Sequence, residues 1–284
     1  TNMSGTFSRA ISFNADISNW NTTNVTNFRE MFYSASAFNQ TVDGFNTDAA
    51  TTMKGMFSNA SYFTQPVSQW DVSNVTDFSE MFLKASSFTN GSGAPLDGWI
   101  PTDATTMNSM FKEASRFNSE VFILPSGNSI ADLGSMFESA VLYNNGGTVS
   151  IENWDVSNVG NMSSMFYSAS AFNRDISNWN TNNVTNMDKM FNDAATFNAD
   201  ISNWNIQNLQ TAVGMLNASS GTSSFSQVNY DLLLQGWEAQ IPSIQSNVTL
   251  DVAQYFTLSL PSSASRSRLT SPPYNWTIND LGGI

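Results

Sequence analysis

The chain has no cysteine and no histidine, and only ten of its 284 residues are Lys or Arg. Without thiols there is neither a disulfide framework nor a thiolate metal site, and the redox compartment stays open. The usual general base, the thiol nucleophile and most transition-metal ligands are gone with them. Few cations and a formal net charge of −13 argue against nucleic acid, which clustered Lys and Arg bind, and against anionic membranes. No run of about 18 apolar residues occurs, so no membrane insertion is expected. Thr1 opens no leader of the charged-then-apolar kind. Charged residues are 12% of the chain while Asn, Ser and Thr abound, so neutral amides and hydroxyls must wet the surface, a composition commoner outside cells. The 40% apolar share is enough to fill a core.

What is present is a repeat. Met-Phe recurs at Met31-Phe32, Met56-Phe57, Met81-Phe82, Met110-Phe111, Met136-Phe137, Met165-Phe166 and Met190-Phe191. Degenerate forms stand at Thr6-Phe7 and Met215-Leu216, and the steps are 25, 25, 25, 29, 26, 29, 25 and 25 residues. Eleven residues before each complete Met stands Trp20, Phe45, Trp70, Trp99, Pro125, Trp154, Trp179 or, for the last, Trp204. All insertion therefore falls in the other half of the unit.

Val25, Phe28, Met31, Phe32 and Ala35 are three or four residues apart, the pattern of one face of a short helix. Asn24 precedes it as candidate N-cap, with equivalents Asn74, Asp103, Ser129, Asn158, Asn183 and Asn208. "DISNW", with Ile17 and Trp20, suits a short strand. A strand, a turn and a helical turn cannot bury their own apolar face, so about nine such units should stack as a repeat solenoid of parallel β with short helical turns. At about 4.8 Å per strand the rod would be roughly 45 Å long.

The unit "FNxDISNWxxxNVTNMxxMFxxA" resembles the DUF285 repeat of bacterial and protist surface proteins, relatives of the BspA-type leucine-rich-repeat proteins. The resemblance covers roughly residues 1–222, and the aromatic, Met-Phe and Ala positions carry it. It implies a leucine-rich-repeat-like solenoid, secreted or on a cell surface, serving adhesion or interaction. Residues 1–222 form the array on this reading. Residues 223–284 form a mixed α+β C-terminal cap, with a helix in "VNYDLLLQGWEAQ", strands in "NVTLDV" and "YNWTI", and a weaker helix over 264–269.

Few groups are left for chemistry. Lys54, Lys84, Lys112 and Lys189 fall on the polar side of the units. Asp175 and Asp200 hold the same position in adjacent units, about 5 Å apart if the units stack. Solvated strand-start carboxylates, a weak Ca²⁺ site and a glycosidase-like acid pair are the competing readings. No dense Ca²⁺ loop and no pocket-building sequence accompanies them. No other cofactor is expected, and the chain is read as not an enzyme.

Asn19, Asn153, Asn178 and Asn203 each precede a Trp and suit amide ladders. Thr22, Thr47 and Thr181 do not continue through the other units, so no flat Thr array forms. Among N-x-S/T triplets, Asn90, Asn247 and Asn275 lie in looser segments and are the better glycosylation candidates should the source be a secretory eukaryote. The insertions "TNGSGAP" (89–95) and "YNNGGTVS" (143–150) should project from one side of the array. Between them the apolar run "VFIL" accompanies Pro125. Asn90, Ser92, Asn118, Asn144 and Asn145 are the candidate hydrogen-bonding groups of a binding face, and Tyr143 its candidate stacking surface. The expected function is adhesion or recognition of a protein or glycan ligand, extracellular or at the cell surface. The alternative is a structural subunit of an extracellular filament or coat, joined head to tail by self-association through residues 1–20.

Overall fold

The computed structural model describes residues 1–147, 151–221, 223–258 and 261–284. The boundary placed at residue 222 and the last three residues of the second insertion lie outside them. The expected solenoid of nine strand-plus-helical-turn units is not found. Among the described residues, strand is confined to β1 (Ala212–Leu216), β2 (Thr249–Val252) and β3 (Thr277–Asn279), one open parallel sheet in that order. The α-helical elements are α1 (Asn90–Gly93), α2 (Gln227–Glu238) and α3 (Ser262–Thr270). Residues 1–89 hold neither strand nor helix, so the leucine-rich-repeat-like assignment is withdrawn.

The Met-Phe segments are chains of linked turns instead. Glu30 and Ser34 have φ of 54° and 55°, and Ser164 and Ser168 repeat this at 55° and 54°. A right-handed helix needs negative φ throughout, so a left-handed residue every fourth position ends it. Met31, Tyr33, Ala35 and Phe38 donate their N–H groups to the carbonyls three residues back. Phe28, Glu30, Phe32 and Ser34 donate to Thr52, Lys54, Met56 and Ser58 of the following segment. Arg29 N donates to Asn27 Oδ1 at 2.9 Å, which completes the backbone donors from Phe28 to Ala35. Successive turns aim Phe28, Met31, Phe32 and Ala35 inward at a spacing that imitates a helix.

Single parallel bridges link Asn2, Asn27, Thr52, Asp77, Thr106, Asp132, Asn161, Asn186 and Thr211 in succession, so residues one Met-Phe step apart lie side by side. Threonine hydroxyls join the same layers: Thr51 Oγ1 donates to Thr26 O and Thr76 Oγ1 to Thr51 O, each at 3.0 Å. Asn74, Asn158, Asn183 and Asn208 cap no helix. Their Nδ2 groups donate to the carbonyls of Asp48, Asn128, Ser157 and Asn182 in the neighbouring layer.

Aromatic rings run through the core in columns. Phe137, Phe166 and Phe191 stack at 5.6 and 5.7 Å, and each lies about 4 Å from a second column of Tyr143, Phe172 and Phe197. Trp154, Trp179 and Trp204 stack at 6.2 Å. Their indole Nε1 groups donate to the carbonyls of Phe122, Ile151 and Ile176 in the layer before. Where Pro125 replaces Trp, Phe122 supplies the missing ring between Trp99 and Trp154, at 5.9 and 6.1 Å. That is why "VFIL" is so apolar: Val121, Phe122 and Leu124 are buried, and only Ile123 is exposed.

The C-terminal residues continue from β1, which pairs with β2. Ser226 Oγ accepts from Asn229 N and starts α2, whose Tyr230, Leu233, Leu234 and Trp237 form its buried stripe. Gln240 clasps the last tryptophan layer, accepting from Ile206 N and donating to Trp204 O. Arg266 of α3 forks onto Asp280, which also accepts from the Tyr230 hydroxyl at 2.6 Å. No helix among the described residues is long and apolar enough to cross a membrane.

Candidate functional site

The first insertion begins at a break in an asparagine ladder. Asn14, Asn39, Asn144, Asn173 and Asn198 each accept, through Oδ1, a backbone N–H of the next layer at 2.7–3.1 Å. The ladder resumes at Asn118, but at Thr64 and Thr89 this amide is missing. The following residues, Asn90 (φ 49°), Gly91 (φ 65°), Ser92 (φ 71°) and Gly93 (φ 95°), make α1 a single left-handed turn. Gly93 and Ala94 donate back to the carbonyls of Thr89 and Asn90. Asn-Gly-Ser-Gly tolerates this where other residues would not. Gly91 is required for a second reason, because a Cβ there would lie 3.0 Å from Pro66 Cβ.

Of the six candidate ligand residues, most are engaged within the molecule. Asn90 is fully buried: its Oδ1 accepts from Val67 N, and its Nδ2 donates to Ala94 O and Pro95 O. Asn145 does the same work in the second insertion, buried and accepting from Val121 N. Asn144 is a rung of the ladder. Asn118 is exposed, but its Oδ1 accepts from both Asn144 N and Gly146 N. Tyr143 offers no surface: it is fully buried 3.8 Å from Phe137, and burial drives its phenol pKa well above the ordinary value. Ser92 remains, exposed, with its backbone N–H bonded to Thr89 Oγ1 and its own hydroxyl without a partner among the described residues.

Ser92 and Asn118 do meet. With Thr89, Gly93, Arg116 and Ser119 they line an open depression of about 400 Å³ beside the left-handed turn. Arg116 was not singled out from the sequence. It is exposed and has neither hydrogen bond nor ion pair among the described residues. Asn118 Nδ2 likewise donates to nothing among them. The depression therefore presents donors: a guanidinium, a carboxamide NH₂ and the Ser92 hydroxyl.

Asp175 and Asp200 are each bound into their own turns, Oδ1 accepting from Ser177 N and Ser202 N at 3.0 and 2.9 Å. The Ser177 hydroxyl and N–H hold the Asp175 carboxyl below its ordinary pKa. Among the described residues no third Asp or Glu joins the pair in a metal-sized group. Lys84 pairs with Glu113 of the next layer at 3.7 Å, and Lys112 with Glu138 at 2.8 Å. Of the glycosylation candidates, Asn247 and Asn275 are exposed, whereas burial and two donated hydrogen bonds close off Asn90.

The family model described as "Mycoplasma protein of unknown function, DUF285" matches residues 1–124, 41–149 and 124–230. The chain belongs to the DUF285 family. The matches do not extend to the BspA-type leucine-rich-repeat proteins expected beside it. No curated protein and no solved structure matches significantly. The DUF285 matches span the layered part of the chain, both insertions and the depression.

Proposed function

We propose that this chain is a non-catalytic recognition protein of a cell surface or the extracellular space, binding a protein or glycan ligand on the flank that carries the two insertions. One observation carries the reading: Arg116, the Ser92 hydroxyl and Asn118 Nδ2 line one depression, each without a hydrogen-bond partner among the described residues. A location outside the cell rests on the sparse charge and the neutral polar surface. A relation to BspA-type surface proteins would add to it.

The test is adhesion of chain-coated beads to candidate cell surfaces and extracellular matrices. Ser92→Trp fills the depression from an exposed position and should abolish capture, at a cost of only a few degrees in melting temperature from placing a bulky residue at φ 71°. Capture undiminished by Ser92→Trp would overturn this assignment of the binding face.

A further inference from the structure

We infer that the depression at Arg116 is a subsite for a carboxylate-bearing saccharide, an inference that rests on the recognition reading above. The first argument is charge. In a chain of net charge −13, Arg29, Lys84, Lys112, Arg174, Arg266 and Arg268 are ion-paired to carboxylates, which leaves Arg9, Lys54, Arg116 and Lys189 without an ion pair among the described residues. Arg9 lines a second depression, but Glu30 and Glu80 line it too. Arg116 lines a depression that contains no carboxylate. Its planar fork suits a carboxylate held through two parallel hydrogen bonds.

The second argument is the remaining chemistry. Beyond Arg116 the lining is hydroxyl, carboxamide and glycine, with no apolar side chain to seat a Leu or Phe of a peptide. Hydroxyl and amide groups that both donate and accept are what vicinal sugar hydroxyls require. An aromatic face lies along the same column. Tyr62, 68% exposed, stands where Arg116 stands but two layers earlier, with Ser87 between, about 10 Å away at the usual strand spacing. The register follows from the next residue of each layer: Phe63 stacks on Phe88 at 5.9 Å and Phe88 on Phe117 at 5.7 Å. A saccharide of two or three rings would lay an apolar ring face on Tyr62 and its carboxylate on Arg116.

The experiment is equilibrium binding of the full chain to an oligogalacturonide, its methyl-esterified neutral form and an oligo-glutamate of equal charge. The oligogalacturonide should bind, the ester should bind about tenfold or more weakly, and Arg116→Gln should cost a similar factor. Tyr62→Ala should weaken the oligogalacturonide and its ester but not oligo-glutamate. Absence of oligogalacturonide binding, equal binding of acid and ester, or an Arg116→Gln variant that binds as wild type would each overturn the inference. Oligo-glutamate binding as tightly would overturn it in favour of an acidic peptide. The two readings fail separately. Bead capture abolished by Ser92→Trp but untouched by Arg116→Gln leaves the recognition face standing without the acidic sugar; capture untouched by either removes the face as well.

Discussion

Phe166 and Phe172 stack ring on ring at 3.7 Å with 10° between their planes. Both are fully buried, and Phe166 also stacks on Phe137 and Phe191 of the layers to either side. Phe166→Ala should therefore destabilise the chain by about 3–5 kcal/mol, the usual cost of emptying an aromatic core site. Chemical denaturation reads this directly. A loss under about 1 kcal/mol would mean that the column does not bear on stability.

The indole of Trp179 has a distinct polar task, since its Nε1 donates to the Ile151 carbonyl at 3.0 Å. Trp179→Phe keeps a ring in the column and leaves that carbonyl only its 3.3 Å bond from Trp154 N, at a cost of about 0.5–1.5 kcal/mol. Phe122 already fills this column with a plain phenyl ring, so fold and cooperativity should survive. A broadened unfolding transition would contradict this.

Ser164 sits at φ 55° without the freedom of glycine. Ser164→Gly should stabilise by about 0.5–1 kcal/mol, the relief of a left-handed residue less the added chain entropy of glycine. Ser164→Val should do the reverse, because a β-branched residue at positive φ is strained. If the denaturant midpoints of the two variants shifted the same way, the linked-turn account would be wrong.

Acid should loosen the turns that carboxylates close. The Ser157 hydroxyl, chiefly, with the N–H groups of Ser157 and Gly127 holds Asp155 below its ordinary pKa, and hydroxyl and N–H hold Asp71 likewise from Ser73. A carboxyl with a lowered folded pKa adds stability that is present above its unfolded value, near pH 4, and is lost as pH falls through the folded value. The melting temperature should thus decline below about pH 4, and Asp155→Asn should flatten part of that decline. An identical acid limb in the variant would remove Asp155 from the account.

Expression through a eukaryotic secretory route should place glycans on Asn247 and Asn275, exposed at φ 60° and 52° ahead of β2 and β3. Asn90 should stay bare in folded chain because its Nδ2 is held by Ala94 O and Pro95 O. Peptide mass spectrometry distinguishes these sites, and an occupied Asn90 would show that the left-handed turn forms late or opens.

The Met-Phe ruler was readable because the core repeats its chemistry at that step. The helix read into Val25, Phe28, Met31, Phe32 and Ala35 was wrong because linked turns and a helix put apolar groups inward at nearly the same intervals. One signal separated them. The residue before each Met is left-handed, and in that column Gly5, Gly55 and Gly214 stand among Glu30, Glu80, Ser109, Ser135, Ser164 and Lys189. Three glycines in a helix interior would be costly; in a left-handed column they are at home. The candidate site was half legible. Ser92 was visible because its insertion breaks the period, whereas Asn118 and Asn144 looked like free amides because a rung of a ladder and a ligand contact use the same side chain. Arg116 was hidden, since nothing in a sequence shows which cations lack partners.

The alternation of backbone donors within the Met-Phe segments sets two spectroscopic views of this protein against each other. Circular dichroism responds to regular dihedral angles, which the linked turns lack over most of the chain, so its far-ultraviolet signal should resemble that of a largely unordered polypeptide. Deuterium uptake responds to whether an amide proton is held, and from Phe28 to Ala35 every one is, by a neighbouring turn, a side chain or the next layer. A chain that looks unfolded to one instrument should look crystalline to the other, with slow exchange concentrated on the residues around each Met-Phe pair.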